Sequence, residues 1–407
     1  MARFILSVIL IWFLNACSQA QTGNNMKALM TKLFITDGYN KEVRPSLNQS
    51  EPLRVDLDLF LVAVNGIDEV GQKLITTGFV DIYWKDEYLQ WAPATYGDLS
   101  TIYVSQDKIW KPDISLQNGF KKLDELGNGF IKVIIEKDGM LRWSPFEIFE
   151  TKCDINIEKF PFDEQTCDII FVVWSYSISE VKISKGLKGI NFYNFKGNGE
   201  WKVVSTSATV DSSAETRVKF SLTVRRIPTF YLINVIAPIV LLAVLNIFTF
   251  ALPVDCGEKM SYSITVFLSF AVFLSIVSST LPKTAGSILE FYLMFQLGMG
   301  TIVVIVTAVE LRLHFRSKPV PKWLQVVFTL SFIKYMRSKK NVGCSDNNTQ
   351  NDSATMNGEV IKKERTHADS IELTWPDIIA RVDMILFWVL LVAVIIMTLI
   401  IYLLLTN

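Results

Sequence analysis

Hydrophobic and polar residues follow two different rules in the two halves of this chain. Between residues 21 and 226 the apolar positions come in short alternating runs. Leu53-Arg54-Val55-Asp56-Leu57-Asp58-Leu59 alternates without a break, and Lys202-Val203-Val204 and Arg217-Val218-Lys219-Phe220-Ser221-Leu222-Thr223-Val224 behave similarly. A period of two puts every second side chain on one face of an extended chain, so these runs predict half-buried β-strands. Turn formers punctuate them at Asn65-Gly66, Lys137-Asp138-Gly139 and Gly197-Asn198-Gly199. Many short strands with such spacing predict an all-β, immunoglobulin-like sandwich. One short amphipathic helix, Asn25 to Phe34, precedes them.

Beyond residue 226 the alternation gives way to four long apolar runs. Ile227 to Leu252, Met260 to Pro282 and Met384 to Asn407 carry no charge, and Thr284 to Val309 carries only Glu290. Each exceeds the ~20 residues a helix needs to cross a hydrocarbon core of about 30 Å. The reading is four transmembrane helices over 227–252, 260–281, 285–311 and 383–407, forming a four-helix bundle. A purely soluble protein is excluded.

The ends and the connecting loop set the orientation. Residues 1–20 read as a signal peptide: Arg3 supplies the positive start, Phe4 to Leu14 the apolar core, and Ser18 and Ala20 the small residues before cleavage. A lipoprotein-type signal ending at Cys17 is the rival reading. Residues 312–382 hold 12 Lys/Arg against 7 Asp/Glu. Such a basic loop stays cytoplasmic. Residues 21–226 and the C-terminus then lie outside a plasma membrane that the chain crosses several times. Arg225 and Arg226, on the outer side of the first span, run against the charge rule, which export of the preceding domain overrides. Asn341 to Gly358 is polar and predicts disorder; the stretch from Glu372 into the last span predicts a helix with Ile378, Ile379 and Val382 on one face.

Composition narrows the function. The whole chain has 40 basic and 40 acidic residues, without the basic excess of a nucleic-acid binder. Two histidines and five cysteines leave little for a metal site, and no nucleophile–base arrangement suggests an enzyme. No cofactor is expected. Asn48-Gln49-Ser50 is a glycosylation sequon on the exported side, whereas Asn347 and Asn351 fall in the cytoplasmic loop.

Cys153 and Cys167 are the only cysteines of the exported segment, and an oxidising compartment predicts a bridge between them. The loop they enclose has Phe160-Pro161-Phe162-Asp163 at its centre. With four spans downstream it closely resembles the Cys-loop receptors, the pentameric ligand-gated ion channels. Trp110-Lys111-Pro112-Asp113 matches that family's Trp-x-Pro-Asp. Trp84-Lys85-Asp86-Glu87-Tyr88-Leu89-Gln90-Trp91 and Gly257-Glu258-Lys259 are similar to its nicotinic-type cation channels. The resemblance covers nearly the whole chain and implies five subunits, so four further subunits as partners, around one pore. It also implies a small-molecule ligand bound between subunits, surrounding membrane lipid and monovalent cations as permeant ions; a postsynaptic membrane is one setting it suggests.

The second span has eight Ser and Thr residues between positions 260 and 280. Glu258, Ser261, Thr265, Leu268, Val272, Ile276 and Ser279 follow one another in steps of three or four, which is one helical face. Read alone, that face serves either a pore or close helix packing. The resemblance implies the pore. A ring of Glu258 then favours cations, Ser261 and Thr265 replace lost hydration, and Leu268 and Val272 close the pore by dewetting. Lys259, one step round, points away from the axis. The missing acid at Ser279 weakens any expectation of high calcium permeability.

The resemblance also implies a coupling zone containing Glu69, the Phe160-Pro161 turn, Arg226 and Pro282. Glu69 and Arg226 are expected partners, so exchanging their charges should partly restore what either reversal destroys. For the ligand, Trp174 and Tyr176 match one side of an aromatic box and Phe79 the other. Two positions depart: Gln117 stands where nicotinic-type subunits place a tyrosine, and the hairpin from Ser205 to Arg217 has neither tyrosine nor paired cysteines. A quaternary amine is therefore poorly caged, and the ligand is left open. The functional alternatives are a cation-channel subunit and an accessory, non-conducting subunit.

Overall fold

The computed structural model describes residues 21–120, 125–211, 216–254, 257–280, 286–325 and 374–406. The signal-peptide reading of residues 1–20 and the disorder reading of 341–358 fall outside them. The described residues divide into two compact units that part between Leu232 and Ile233, with residues 279–288 grouping with the first.

The first unit opens with α1, Gly23–Thr31, whose Thr22 hydroxyl accepts the Asn25 backbone N–H at 3.3 Å. A side-chain oxygen there satisfies one of the donors every helix start leaves open. The predicted helix ran three residues further; those residues form a wider π-type turn, Lys32–Thr36. Eleven strands follow: β1 Leu53–Asp68, β2 Lys73–Lys85, β3 Thr101–Ser105, β4 Ile114–Leu116, β5 Lys132–Glu136, β6 Met140–Trp143, β7 Phe146–Lys152, β8 Glu164–Val173, β9 Val181–Lys196, β10 Trp201–Asp211 and β11 Arg217–Arg226. They make two sheets. One runs β3-β5-β6-β2-β1-β9 with β7 also on β2; the other runs β10-β11-β8-β4. This is the sandwich the alternation predicts. Its interior holds Val55, Leu57, Leu59, Ile82, Trp84, Trp143, Phe171 and Phe220, all buried.

Two details depart from simple alternation. Asp58 lies on the face that should meet water, yet it is buried: the backbone N–H groups of Lys188 and Gly189 donate to its carboxylate at 3.0 and 2.7 Å. Burial raises its pKa against those hydrogen bonds. Asn65-Gly66 is no turn either. Both residues lie inside β1, at a register shift between Val64 and Gly66. Gly139, by contrast, does close the β5–β6 turn. Its φ is +83°, and a Cβ there would sit 2.3 Å from the Asp86 carbonyl oxygen, so only glycine fits.

Cys153, just after β7, bonds to Cys167 in β8 and so ties one sheet to the other. The 14-residue separation makes the loop short. Opening it with Cys153→Ser and Cys167→Ser is expected to cost about 3 kcal/mol of stability, read as earlier thermal unfolding of the purified chain without reductant. Unchanged unfolding would show the bridge dispensable.

The second unit is helical, built from α2 Thr229–Ala251, α3 Lys259–Thr280, α4 Ile288–His314 and α5 Trp375–Thr406, with the first four residues of α2 and the last two of α3 grouping with the first unit. Each is long and apolar enough to cross a membrane. In α4, Gly300 lets Phe267 of α3 approach so closely that a Cβ would be 3.3 Å from its ring. The predicted helix before the last span and the span itself are one continuous helix. At its start Trp375 and Ile378 pack on Val320, flanked by Leu313, Leu324 and Val382, while the Trp375 indole N–H donates to the Lys318 carbonyl at 2.7 Å.

Candidate functional site

Three arrangements carry chemistry, two in the β unit and one in the helical unit. The first is aromatic. Trp174 follows β8 directly and is 64% exposed, although a tryptophan normally buries most of its surface. Its loop is held from below. Asp113 takes the Trp174 N–H on its backbone carbonyl at 3.3 Å and the Ser175 N–H on its carboxylate. Tyr176 turns inward, where its hydroxyl accepts the Trp110 indole N–H at 3.1 Å, and Trp110 meets Trp84 edge-on at 6.2 Å. A cleft of about 400 Å³ opens beside Trp174, lined also by Lys111, Pro112, Asp113, Trp143 and Ser175. Gln117, just after β4, donates its backbone N–H to Ile170 and leaves its side chain exposed. The adjacent Asn118, which sequence reasoning missed, fixes that turn: its amide nitrogen donates to the Asp168 carbonyl at 2.8 Å and its oxygen accepts from Ile170 N–H at 3.1 Å.

Phe79 belongs to the other sheet. It stacks flat on Phe60 at 4.9 Å and meets Tyr193 edge-on at 5.5 Å, while the Lys188 ammonium lies 5.2 Å from the Phe60 ring centre. One π face of Phe79 is thus already covered, and its stacking partner already holds a cation. Trp174, Tyr176 and Gln117 hang from the four-stranded sheet and Phe79 from the seven-stranded one. The tip of the β10–β11 hairpin, residues 212–215, falls outside the described residues.

The second arrangement centres on Arg226, the last residue of β11. Its side chain is 0% exposed. The guanidinium meets Glu69 at 2.7 Å, Asp163 at 2.8 Å and Glu200 at 3.3 Å. It lies over the rings of Trp201 at 4.2 Å, Phe160 at 4.9 Å and Tyr231 at 5.2 Å. The Tyr231 hydroxyl donates to Glu200 at 2.8 Å. Burial opposes the charge on Arg226, but hydrogen bonds and attraction from Asp163 and Glu69 outweigh it and raise its pKa. The Glu69–Arg226 pair is therefore present, but within a larger cluster. Glu200, Trp201 and Tyr231 were not foreseen; only the position of Tyr231, five residues on, is a local clue. The Phe160-Pro161 peptide is cis, and both residues are buried. Pro282 falls outside the described residues.

The third arrangement is a helical face. Glu258 precedes α3, and its carbonyl accepts the Tyr262 N–H at 2.9 Å. Glu258, Ser261, Thr265 and Ser279 are all exposed, and so are Leu268 at 56%, Val272 at 59% and Ile276 at 55%. The opposite face, Lys259, Ser263, Val266, Phe270 and Val277, is buried. The Thr265 hydroxyl donates back to the Ser261 carbonyl at 2.8 Å, which saves it from needing a partner elsewhere. Lys259 turns away from the stripe, as the helical step predicts. Its ammonium donates to Glu310 at 2.8 Å and Asp383 at 2.6 Å. Those two acids were overlooked, though each borders an apolar run, where a charge needs a reason.

Comparison with known proteins bears on all three. The family model for the "Neurotransmitter-gated ion-channel ligand binding domain" matches residues 26–228, and that for the "Neurotransmitter-gated ion-channel transmembrane region" matches residues 235–360. The mouse neuronal acetylcholine receptor subunit alpha-6 is 33% identical over 314 residues, 74% of this chain and 63% of that protein. The Caenorhabditis elegans acetylcholine receptor subunit beta-type unc-29 is 33% identical over 349 residues, 84% and 70% respectively. The Xenopus laevis acetylcholine receptor subunit delta is 33% identical over 337 residues, 77% and 64%. The chain thus spans under two thirds of the length of the alpha-6 and delta relatives.

Proposed function

The chain belongs to the neurotransmitter-gated ion-channel family, and we propose on that ground that it is one subunit of a pentameric, ligand-gated, cation-selective channel of the plasma membrane. One observation carries the reading: an exposed stripe from Glu258 to Ser279 on a helix whose other face is buried within its own unit. A stripe of acid, hydroxyls and then bare aliphatic groups suits neither lipid nor a soluble surface. Five copies turned inward give it water at both ends and a dewettable middle. Residues 21–226 then form the outer ligand-binding domain, residues 312–382 the cytoplasmic loop, and both termini lie outside. Asn48 is exposed and available for glycosylation.

The box needs two chains. Trp174, Tyr176 and Gln117 supply one side and Phe79 the other, from a neighbouring subunit. Arg226 with Glu69 and the Phe160-Pro161 turn joins agonist binding to opening, together with Pro282. The relatives are named for acetylcholine, but this chain offers a quaternary amine little: Gln117 in place of a tyrosine, a hairpin without tyrosine, and a Phe79 already stacked. The same incompleteness favours a second reading, in which this subunit assembles with partners that supply the principal face. Reconstituting the chain alone in a bilayer and recording unitary currents during a ligand screen separates the two. The channel reading expects cation currents; a pentamer that never conducts would leave only the accessory role.

A further inference from the structure

Lys259 poses a problem for the pore reading, on which this inference rests. It follows Glu258 directly, so five copies would set five ammonium groups beside the five carboxylates that are to attract cations. Each subunit would then present formal charges of −1 and +1 at one mouth, and the attraction would cancel. The structure resolves this. Lys259 is 2% exposed, its ammonium held by Glu310 of α4 and Asp383 of α5, both buried as well, and 5.3 Å from the Phe250 ring centre. Three helices thus close on one cation.

We propose that Glu310 and Asp383 are positioning residues for charge selectivity: they draw Lys259 into the bundle and leave Glu258 unopposed. Per subunit the four groups carry formal charges of −1 for Glu258, +1 for Lys259, −1 for Glu310 and −1 for Asp383, a sum of −2. Removing the two buried acids raises that sum to zero. It also strips a buried ammonium of both counter-charges. Such a charge does not stay in a dry interior. A lysine side chain is long and jointed, and Gly257 and Glu258 next to it in the chain are exposed. There it neutralises its neighbour. A unit charge about 10 Å from a permeating ion changes local ion occupancy about twofold even in bulk water, and each mouth has five.

The test compares three forms of the full chain by dilution potential and unitary conductance. In Glu310→Gln with Asp383→Asn, the reversal potential is expected to move toward zero and inward cation conductance to fall about twofold or more. Adding Lys259→Gln, which removes the whole cluster's charge with little change of shape, is expected to restore both. A merely structural role would leave the triple variant as impaired as the double. If the double variant fails to reach the surface, Asp383→Asn alone, which keeps Glu310 as a partner, is expected to show a smaller shift in the same direction. A double variant with the parent's reversal potential, or a triple variant without recovery, overturns the inference while the channel reading stands. An unsubstituted chain that carries no cation current overturns the channel reading and takes this inference with it.

Discussion

Replacing Arg226 with alanine is expected to destabilise the β unit by about 3–5 kcal/mol, among the largest effects of any single substitution in it. The reason lies in what stays behind. Glu69, Asp163 and Glu200 converge on one guanidinium whose side chain is 0% exposed. Without it three carboxylates face one another and three rings lose the cation they surround. Lysine should rescue only part, because a single ammonium cannot meet Asp163 with two parallel N–H donors while reaching Glu69. Thermal unfolding of the purified chain reads the stability, and surface labelling reads how much survives export. The cluster also revises the charge-exchange expectation. Swapping Glu69 and Arg226 puts a glutamate against Asp163 and Glu200, so the exchange should rescue neither stability nor ligand-evoked current. Full rescue would mean that Glu69 alone matters and that the other two acids are bystanders.

Leu268→Ser should give the largest functional change: standing ion current in the absence of any ligand. Leu268 and Val272 project from α3 with more than half their surfaces bare, between hydroxyls on one side and Ile276 on the other. Rings of such groups hold a narrow passage shut because water leaves it, not because an object fills it. A hydroxyl in each copy lets water remain. A bias of about 1.4 kcal/mol toward the open state is already a tenfold change in its population. The readout is the unliganded fraction of maximal current. A variant as silent as its parent would remove these residues from the gate.

Much of this was legible before any coordinates, and the limits have physical causes. The four long apolar helices were plain because a membrane-crossing helix demands a long uncharged run; most of their ends lie within about three residues of the apolar runs, but the last helix begins at Trp375 rather than at 383. The α3 stripe was legible because its steps of three and four keep one face. Strands were legible where one face is buried and the other wet, as at Val55, Leu57 and Leu59. Asp58 broke the pattern because β9, far along the chain, bulges over it at Lys188 and Gly189. The same blindness hid Glu200, Glu310 and Asp383. Ionic partners separated by 26, 51 and 124 positions leave no periodic trace. The disulfide was legible because the exported segment holds just two cysteines, whereas the Glu69–Arg226 pair was reached only because a resemblance supplied the long-range geometry that a pattern cannot.

The packing of Trp375 and Ile378 on Val320 has a consequence for how such a chain can vary. That clasp, tightened by the indole N–H to Lys318, brings together two points in the sequence 57 residues apart. It holds both ends of the segment between them, whatever that segment does. For a tether whose ends are already fixed, doubling its length costs only about 0.6 kcal/mol of closure entropy. Residues can then be gained or lost inside it over generations almost without penalty to the bundle, and a chain much shorter than its kin there can keep the same four helices.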